Sequence, residues 1–379
     1  MVPVMTVTRR CAMIALGLAL LPSVAAADCG RPADLHDGWQ TAAPPQEGLD
    51  PKLICAIGPR LEKLPDADPN GIVIVRHGML VYEHYFTAED QRWRRSLGLV
   101  PHDASTLHDL QSITKSVVAI LTGIALDRGR IKNVDAPVMS FFPQYADLRT
   151  RDKDRVTLRD LLTMTSGFDW PHSLAFARRA GAAPDPVRFV LQQPITATPG
   201  TIWSYSNIGV DLLGDIVQKA AGRPLTAFAK EALFAPLGIT DWEWRQLPKG
   251  IPDSAGGLRL RPRDLVKIGQ LVLNHGVWHG RRIVSAAWTR QMTAPHSPPG
   301  WLSGIADAYG YLWWLGHASL DNRDIRWVGG IGHGGQRLYV VPSLALVVVV
   351  AAGNYKFYGS DNPSGDAALD MALRAAFRH

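Results

Sequence analysis

The sequence predicts an α+β fold: an antiparallel sheet built from N- and C-terminal segments, flanked by helices, with a helical insertion between. Three observations lead there. Residues 72–86 read as two short strands about His77-Gly78, the pattern of a hairpin. Residues 337–341 and 344–352 form a second pair about Pro342-Ser343. Between these ends the apolar residues recur at helical spacing. Strands at both ends of a helical middle are most economically joined in one sheet. The expected division is therefore a discontinuous α/β domain, 28–111 with 282–379, and a mostly helical domain, 112–281.

Each element follows from local pattern. Residues 49–64 read as a helix. The run 344–352 is too uniformly apolar for a half-exposed strand, so it belongs at the centre of a sheet covered on both faces. Residues 309–315 supply a further strand. Helical periodicity and capping signals mark 158–164, 185–193, 208–221, 226–233 and 263–274, and a closing helix runs over 366–377.

Residues 1–27 read as a cleavable secretory signal. Arg9 and Arg10 precede an apolar stretch from Cys11 to Leu21, and Ala25-Ala26-Ala27 offers a cleavage site. That stretch is shorter than the roughly 20 residues of a membrane span, so no stable span is expected once it is removed. Thr8-Arg9-Arg10 leaves the twin-arginine route open beside the general one. A periplasmic or secreted location follows. Of three cysteines, Cys11 departs with the signal. Cys29 and Cys55 remain, either as one disulfide suited to an oxidising compartment or as two free thiols.

Forty basic and 34 acidic residues leave a net charge of +6, but the charges are scattered and of mixed sign. Nucleic acid is therefore not an expected partner. No phosphate loop, dinucleotide fingerprint, Gly-x-Ser-x-Gly elbow or His-Glu-x-x-His motif occurs. His275 and His279 stand four apart, yet Gly276 and turn-like surroundings mark them as surface histidines rather than ligands. No metal or cofactor is expected, and oligomeric state is left open.

The chemistry concentrates at Ser112-Ile-Thr-Lys115, at the start of an apolar helix. Residues three apart share a helix face, so the amine can reach the hydroxyl. An amine among apolar neighbours is costly to keep charged, which suits it to act as a base toward a serine nucleophile. Spacing alone is weak evidence, since Ser-x-x-Lys occurs about once by chance in a chain this long. Tyr205 and Asn207, two apart in a loop entering a helix, add a phenol that can pass a proton and an amide that can hold a carbonyl. Residues 329–336 (Gly-Gly-Ile-Gly-His-Gly-Gly-Gln) allow close approach of backbone to a ligand.

Taken in order, Ser112-x-x-Lys115, Tyr205-x-Asn207 and the Gly-rich strand entry resemble the serine β-lactamase and penicillin-binding-protein superfamily. The similar branch is the class C-like one, with its esterases and 6-aminohexanoate-oligomer hydrolases. Residues 161–167, the Pro199-to-Asn207 block, Gly256-Gly257 and residues 276–280 extend the likeness over nearly the whole chain. The resemblance implies a β-lactamase/transpeptidase-like fold and a hydrolase acting by two-step acyl transfer. Ser112 would be the nucleophile, Lys115 its proton partner and Tyr205 a second acid/base group. Asn207 would orient the substrate, and the backbone N–H groups of Ser112 and Gln336 would form the oxyanion hole. One departure stands out: where β-lactamases and peptidases carry Lys-Thr-Gly, this chain has His333-Gly334-Gly335. A shorter, mostly neutral His and a missing hydroxyl weaken recognition of a substrate carboxylate. The expected substrate is a small ester or amide. A β-lactamase or D-Ala-D-Ala carboxypeptidase ranks second, and a non-catalytic penicillin-binding-like module third. Residues 170–186 and 296–307 are expected to shape selectivity.

Overall fold

The computed structural model describes residues 29–171, 173–247, 250–356 and 363–377. The signal-like segment and Cys11 lie outside them. A seven-stranded antiparallel sheet contains β1 (Pro69–Arg76), β2 (Met79–Tyr85), β3 (Ala308–Tyr309), β4 (Trp314–Leu320), β5 (Arg323–Gly332), β6 (Gln336–Val341) and β7 (Leu346–Ala352), in the spatial order β3-β4-β5-β6-β7-β1-β2. The last strand thus pairs with the first, Val348 opposite Ile74, and closes one sheet from both ends of the chain. β7 is buried along its whole length. Successive side chains point to opposite faces, so its valines need apolar cover on both, and helices supply it.

Four long helices matter here: α1 (Ile113–Asp127), α2 (Asn207–Ala221), α3 (Pro262–Leu273) and α4 (Pro363–Phe377). Gly269 of α3 faces Val347, Leu338 and Val340, and Ile113 of α1 faces Gly330, the partner of Leu338. These residues share one face of the sheet. Residues 337 and 339 alternate with them, and they meet α4: Gly365 lies on Arg337, and the Tyr339 hydroxyl donates to Asp366 at 2.6 Å. The molecule is therefore three layers, helix–sheet–helix. The short helices Pro51–Ile54 and Ile57–Glu62 pack against α4 on that second face. Cys29 and Cys55 are joined there, with Cα atoms 5.3 Å apart.

Both hairpins turn where the sequence places them, Arg76 opposite Met79 and Val341 opposite Leu346. Other expectations need correction. The helix expected over 49–64 breaks at Cys55–Ala56, because Pro59 has no N–H to offer the Cys55 carbonyl. The strand expected over 309–315 is two strands, Ala308–Tyr309 and Trp314–Leu320, separated by a turn in which Leu312 has φ 59°. The helix expected over 226–233 is a short α-helix, Leu225–Ala229, running into a wider π turn, Lys230–Phe234. A hairpin of Thr87–Arg92 and Arg95–Pro101 and the helices Leu174–Ala182 and Ala286–Met292 are additions from the structure.

One buried ion cluster ties α3 to its surroundings, and a second lies within the helix. Arg263 meets Asp37 at 2.8 Å and Glu83 at 3.0 Å, which anchors the segment before the sheet. Lys267 and Asp264, both fully buried, meet at 2.8 Å. No helix among the described residues is long and apolar enough to cross a membrane.

Candidate active site

Ser112 is the residue immediately before α1, at the end of a turn whose preceding residue, Gln111, has φ 50°. A left-handed conformation costs a non-glycine residue roughly 1–2 kcal/mol, so the turn is held by its surroundings. Leu110 N–H donates to the Leu258 carbonyl at 3.0 Å, and Gln111 Nε2 lies 3.4 Å from Asp109 Oδ2. The end of β5 presses on the same turn. A Cβ at Gly332 would come within 2.5 Å of the Leu110 carbonyl, and one at Gly330 within 2.9 Å of Ile113. Only glycine lets the sheet approach the Ser112 turn this closely.

Lys115 rises one helical turn above Ser112 and is 1% exposed. Its Nζ lies 3.0 Å from Ser112 Oγ and donates to the Ala255 carbonyl at 2.6 Å. The second contact aims the amine at the hydroxyl. The Tyr205 ring sits 4.9 Å from Nζ, backed by a near-parallel Trp314 at 6.4 Å. Trp203 and Tyr309 complete this aromatic wall.

Ala255 is itself positioned from α2. Asp211 Oδ1 accepts from Ser254 N at 2.9 Å and Ala255 N at 3.2 Å. Asp253 Oδ1 accepts from Gly256 N at 2.9 Å while Oδ2 takes Arg245 Nε at 2.8 Å. Burial pushes the Asp211 carboxyl well above the ordinary range; the Asp253 charge adds to the effect and Lys115 opposes it. Burial likewise raises Asp215, one turn further along. Asp211 and the 253–256 loop are the parts of the candidate site that the motifs missed. The available signal was register: Asp211 stands four residues after Asn207 on a predicted helix and so shares its face.

A cleft of about 600 Å³ opens from Ser112 between α2, the 177–190 segment and the 245–256 loop, with Trp93 and Arg94 at the tip of the Thr87–Pro101 hairpin. Its apolar wall includes Val187, Val190, Ile208, Leu212, Leu247 and Ile251. Ser112 and Asn207 are the predicted residues among its walls. Of the two segments expected to shape selectivity, the first reaches the cleft. The second does not line it: Ser297 Oγ donates to the Thr163 carbonyl at 3.0 Å, and Gly300 packs on Trp203. His333, Gly334 and Gly335 form the β5–β6 turn, with the His333 ring 5.7 Å from Tyr355. Gln336 is buried, its side-chain amide donating to the Ala352 carbonyl and accepting from Ala352 N at 3.3 Å. That pairing fixes the first residue of β6.

The Beta-lactamase family model matches residues 70–369. The chain belongs to the β-lactamase family. Esterase EstB of Burkholderia gladioli is 29% identical over 189 residues, 45% of each chain. The 6-aminohexanoate-dimer hydrolase of Paenarthrobacter ureafaciens is 25% identical over 313 residues, 77% of this chain and 74% of that one. The match to the esterase thus spans less than half of its length. Among solved structures, a family VIII carboxylesterase superposes with a TM-score of 0.70 at 18% identity, over 88% of this chain and 99% of the other. A class C β-lactamase from Rhodobacter sphaeroides gives 0.63 at 19%, over 85% and 98%. These structures share the β-lactamase/transpeptidase-like fold of the family. Its members here include ester and amide hydrolases of the serine type.

Proposed function

We propose that this chain is an exported serine hydrolase that cleaves carboxylic esters or amides through an acyl-enzyme on Ser112. The observation that carries the reading is the Lys115 amine, 3.0 Å from Ser112 Oγ and aimed by the Ala255 carbonyl. In this mechanism Lys115 takes the proton as Oγ attacks the carbonyl carbon. The backbone N–H groups of Ser112 and Gln336 receive the oxyanion, at the positive end of α1. The leaving alcohol or amine departs with a proton delivered through Tyr205 or Lys115. Water then attacks the acyl carbon, and Oγ regains its proton. Asn207, on the cleft wall, orients the substrate carbonyl. The apolar wall fits an aliphatic or aromatic group, and His333-Gly334-Gly335 disfavours substrates that need a cation at that turn. The Cys29–Cys55 bridge and the signal-like residues 1–27 support an oxidising, extracytoplasmic location.

The test is intact-mass analysis of the chain after mixing with p-nitrophenyl butyrate and, in parallel, penicillin, using wild type and Ser112→Ala. Ester turnover that falls about a thousandfold or more in the variant supports the reading. A penicilloyl adduct on Ser112 would instead place the chain with the β-lactam-binding members. Turnover that survives Ser112→Ala removes Ser112 from the mechanism.

A further inference from the structure

A second cluster of chemically capable side chains lies under the Thr87–Pro101 hairpin, outside the cleft. Asp90 comes from the first hairpin strand, His102 follows the second, and His108 begins the short strand that leads to Ser112. All three are more than nine-tenths buried. One nitrogen or oxygen from each lies within 4.8 Å of the others.

The hydrogen bonds around this cluster are incomplete. His102 Nδ1 lies 2.8 Å from the Phe86 carbonyl, which only accepts, so Nδ1 carries a proton. In a neutral ring Nε2 is then a lone pair that Asn70 Nδ2 can donate to, yet it also faces Asp90 Oδ2 at 3.3 Å. Two electron-rich atoms that close call for a cation. His108 turns Nδ1 toward the same oxygen at 3.8 Å, and its Nε2 has no hydrogen-bond partner. Asn70 places Nδ2 3.2 Å from His102 Nε2, and its own buried Oδ1 is also unpartnered. Two imidazole nitrogens, His102 Nε2 and His108 Nδ1, converge on the one buried oxygen Asp90 Oδ2, and that convergence points to a missing ligand.

We propose that Asp90, His102 and His108 hold a divalent cation of the zinc type. Two imidazole nitrogens with one carboxylate oxygen are a donor set that zinc favours. Zinc bonds of about 2.0 Å in a tetrahedron separate neighbouring ligand atoms by roughly 3.3 Å. The 3.3 and 3.8 Å spacings about Asp90 Oδ2 are close to that. The Nδ1–H bond to the Phe86 carbonyl is the outer contact that orients a ligating histidine, and Asp90 Oδ1 is held by Gln91 N at 2.7 Å. A water completes the fourth position. The nearby Arg259 guanidinium is matched by Asp109 at 2.8 Å, so it leaves the cluster's own charge uncompensated. The site would be structural. It would fasten the hairpin whose tip, Trp93 and Arg94, walls the cleft, and Trp93 is already tethered to Asp109 at 2.7 Å and to the Gly257 carbonyl at 3.0 Å.

The test is equilibrium dialysis of the purified full chain against Zn²⁺ or Co²⁺, read by metal content, visible absorption and melting temperature. The expected result is about one metal per chain, with tetrahedral Co²⁺ bands and a raised melting temperature with Zn²⁺ but not Mg²⁺. Binding should drop to near zero in His108→Gln and in Asp90→Asn, each checked for native circular dichroism. If those variants fail to fold, the wild-type measurement still decides. Wild type that binds no metal, as a His102–Asp90 pair holding only a proton would, overturns the proposal. So does metal that folded His108→Gln and Asp90→Asn both retain.

Discussion

Ser112 and Lys115 could be read from the chain because their pairing is local: three residues on one helix bring a hydroxyl and an amine together whatever else the fold does. Asp211 could be placed only on the face of Asn207, because its partners, Ser254 and Ala255, lie more than 40 positions away in sequence. The Ala255 carbonyl, which aims Lys115 from a different loop, is distant in the same way. The folded Asp211 carboxyl titrates above its unfolded value, so the native state holds the proton more tightly than the unfolded chain. Its stabilising share is fully present below the unfolded pKa and is lost as pH rises toward the folded one. Asp211→Asn keeps an oxygen to accept from Ser254 and Ala255 but removes the charge. Its melting temperature should therefore exceed wild type at about pH 8, and the gap should close by about pH 3, where the unfolded carboxyl is itself mostly protonated. Thermal scans at both pH values check this. A gain that persists at the acidic end would remove the titration argument.

At the scale of elements, periodicity found α1, α2 and α3 and both sheet hairpins because each has a continuous apolar face. It missed the Thr87–Pro101 hairpin, whose residues are largely polar and exposed and whose register depends on the turn at Trp93-Arg94, both at positive φ. It also missed β5, where glycines interrupt the strand pattern. Two of those glycines, Gly330 and Gly332, make room for Ile113 and the Leu110 carbonyl, so their meaning is tertiary. α3 carries a different message. Its apolar face was legible, but the fully buried Asp264 and Lys267 mark a charged pair that periodicity would place at the surface. Removing one partner strands the other charge in the interior. Asp264→Ala should lower the free energy of unfolding by about 3–5 kcal/mol, measured by urea denaturation. A loss below about 1 kcal/mol would mean that Lys267 finds water or the Gly238 carbonyl, 3.3 Å away, an adequate substitute.

Across the whole molecule, the three-layer arrangement separates what holds the chain together from what carries out the chemistry. α1 and α3 share one face of the sheet with the Ser112 turn. The other face holds α4, the Pro51–Glu62 helices and the Cys29–Cys55 bridge, and Asp50 N–H donates to the Ala375 carbonyl at 2.9 Å. The ends of the described chain therefore meet on the face away from Ser112. A bridge closing a span of 26 residues stabilises mainly by restricting the unfolded chain. Cys55→Ser should then cost about 3 kcal/mol of stability, read as a lower denaturation midpoint with a steeper slope, because the unbridged unfolded chain exposes more surface. Because the sheet stands between the bridge and Lys115, kcat for an ester substrate should stay within about twofold of wild type below the new midpoint. A large fall in kcat with the fold intact would show that the second face sets the geometry of the Ser112 turn, coupling the two outer layers through the valines of β7.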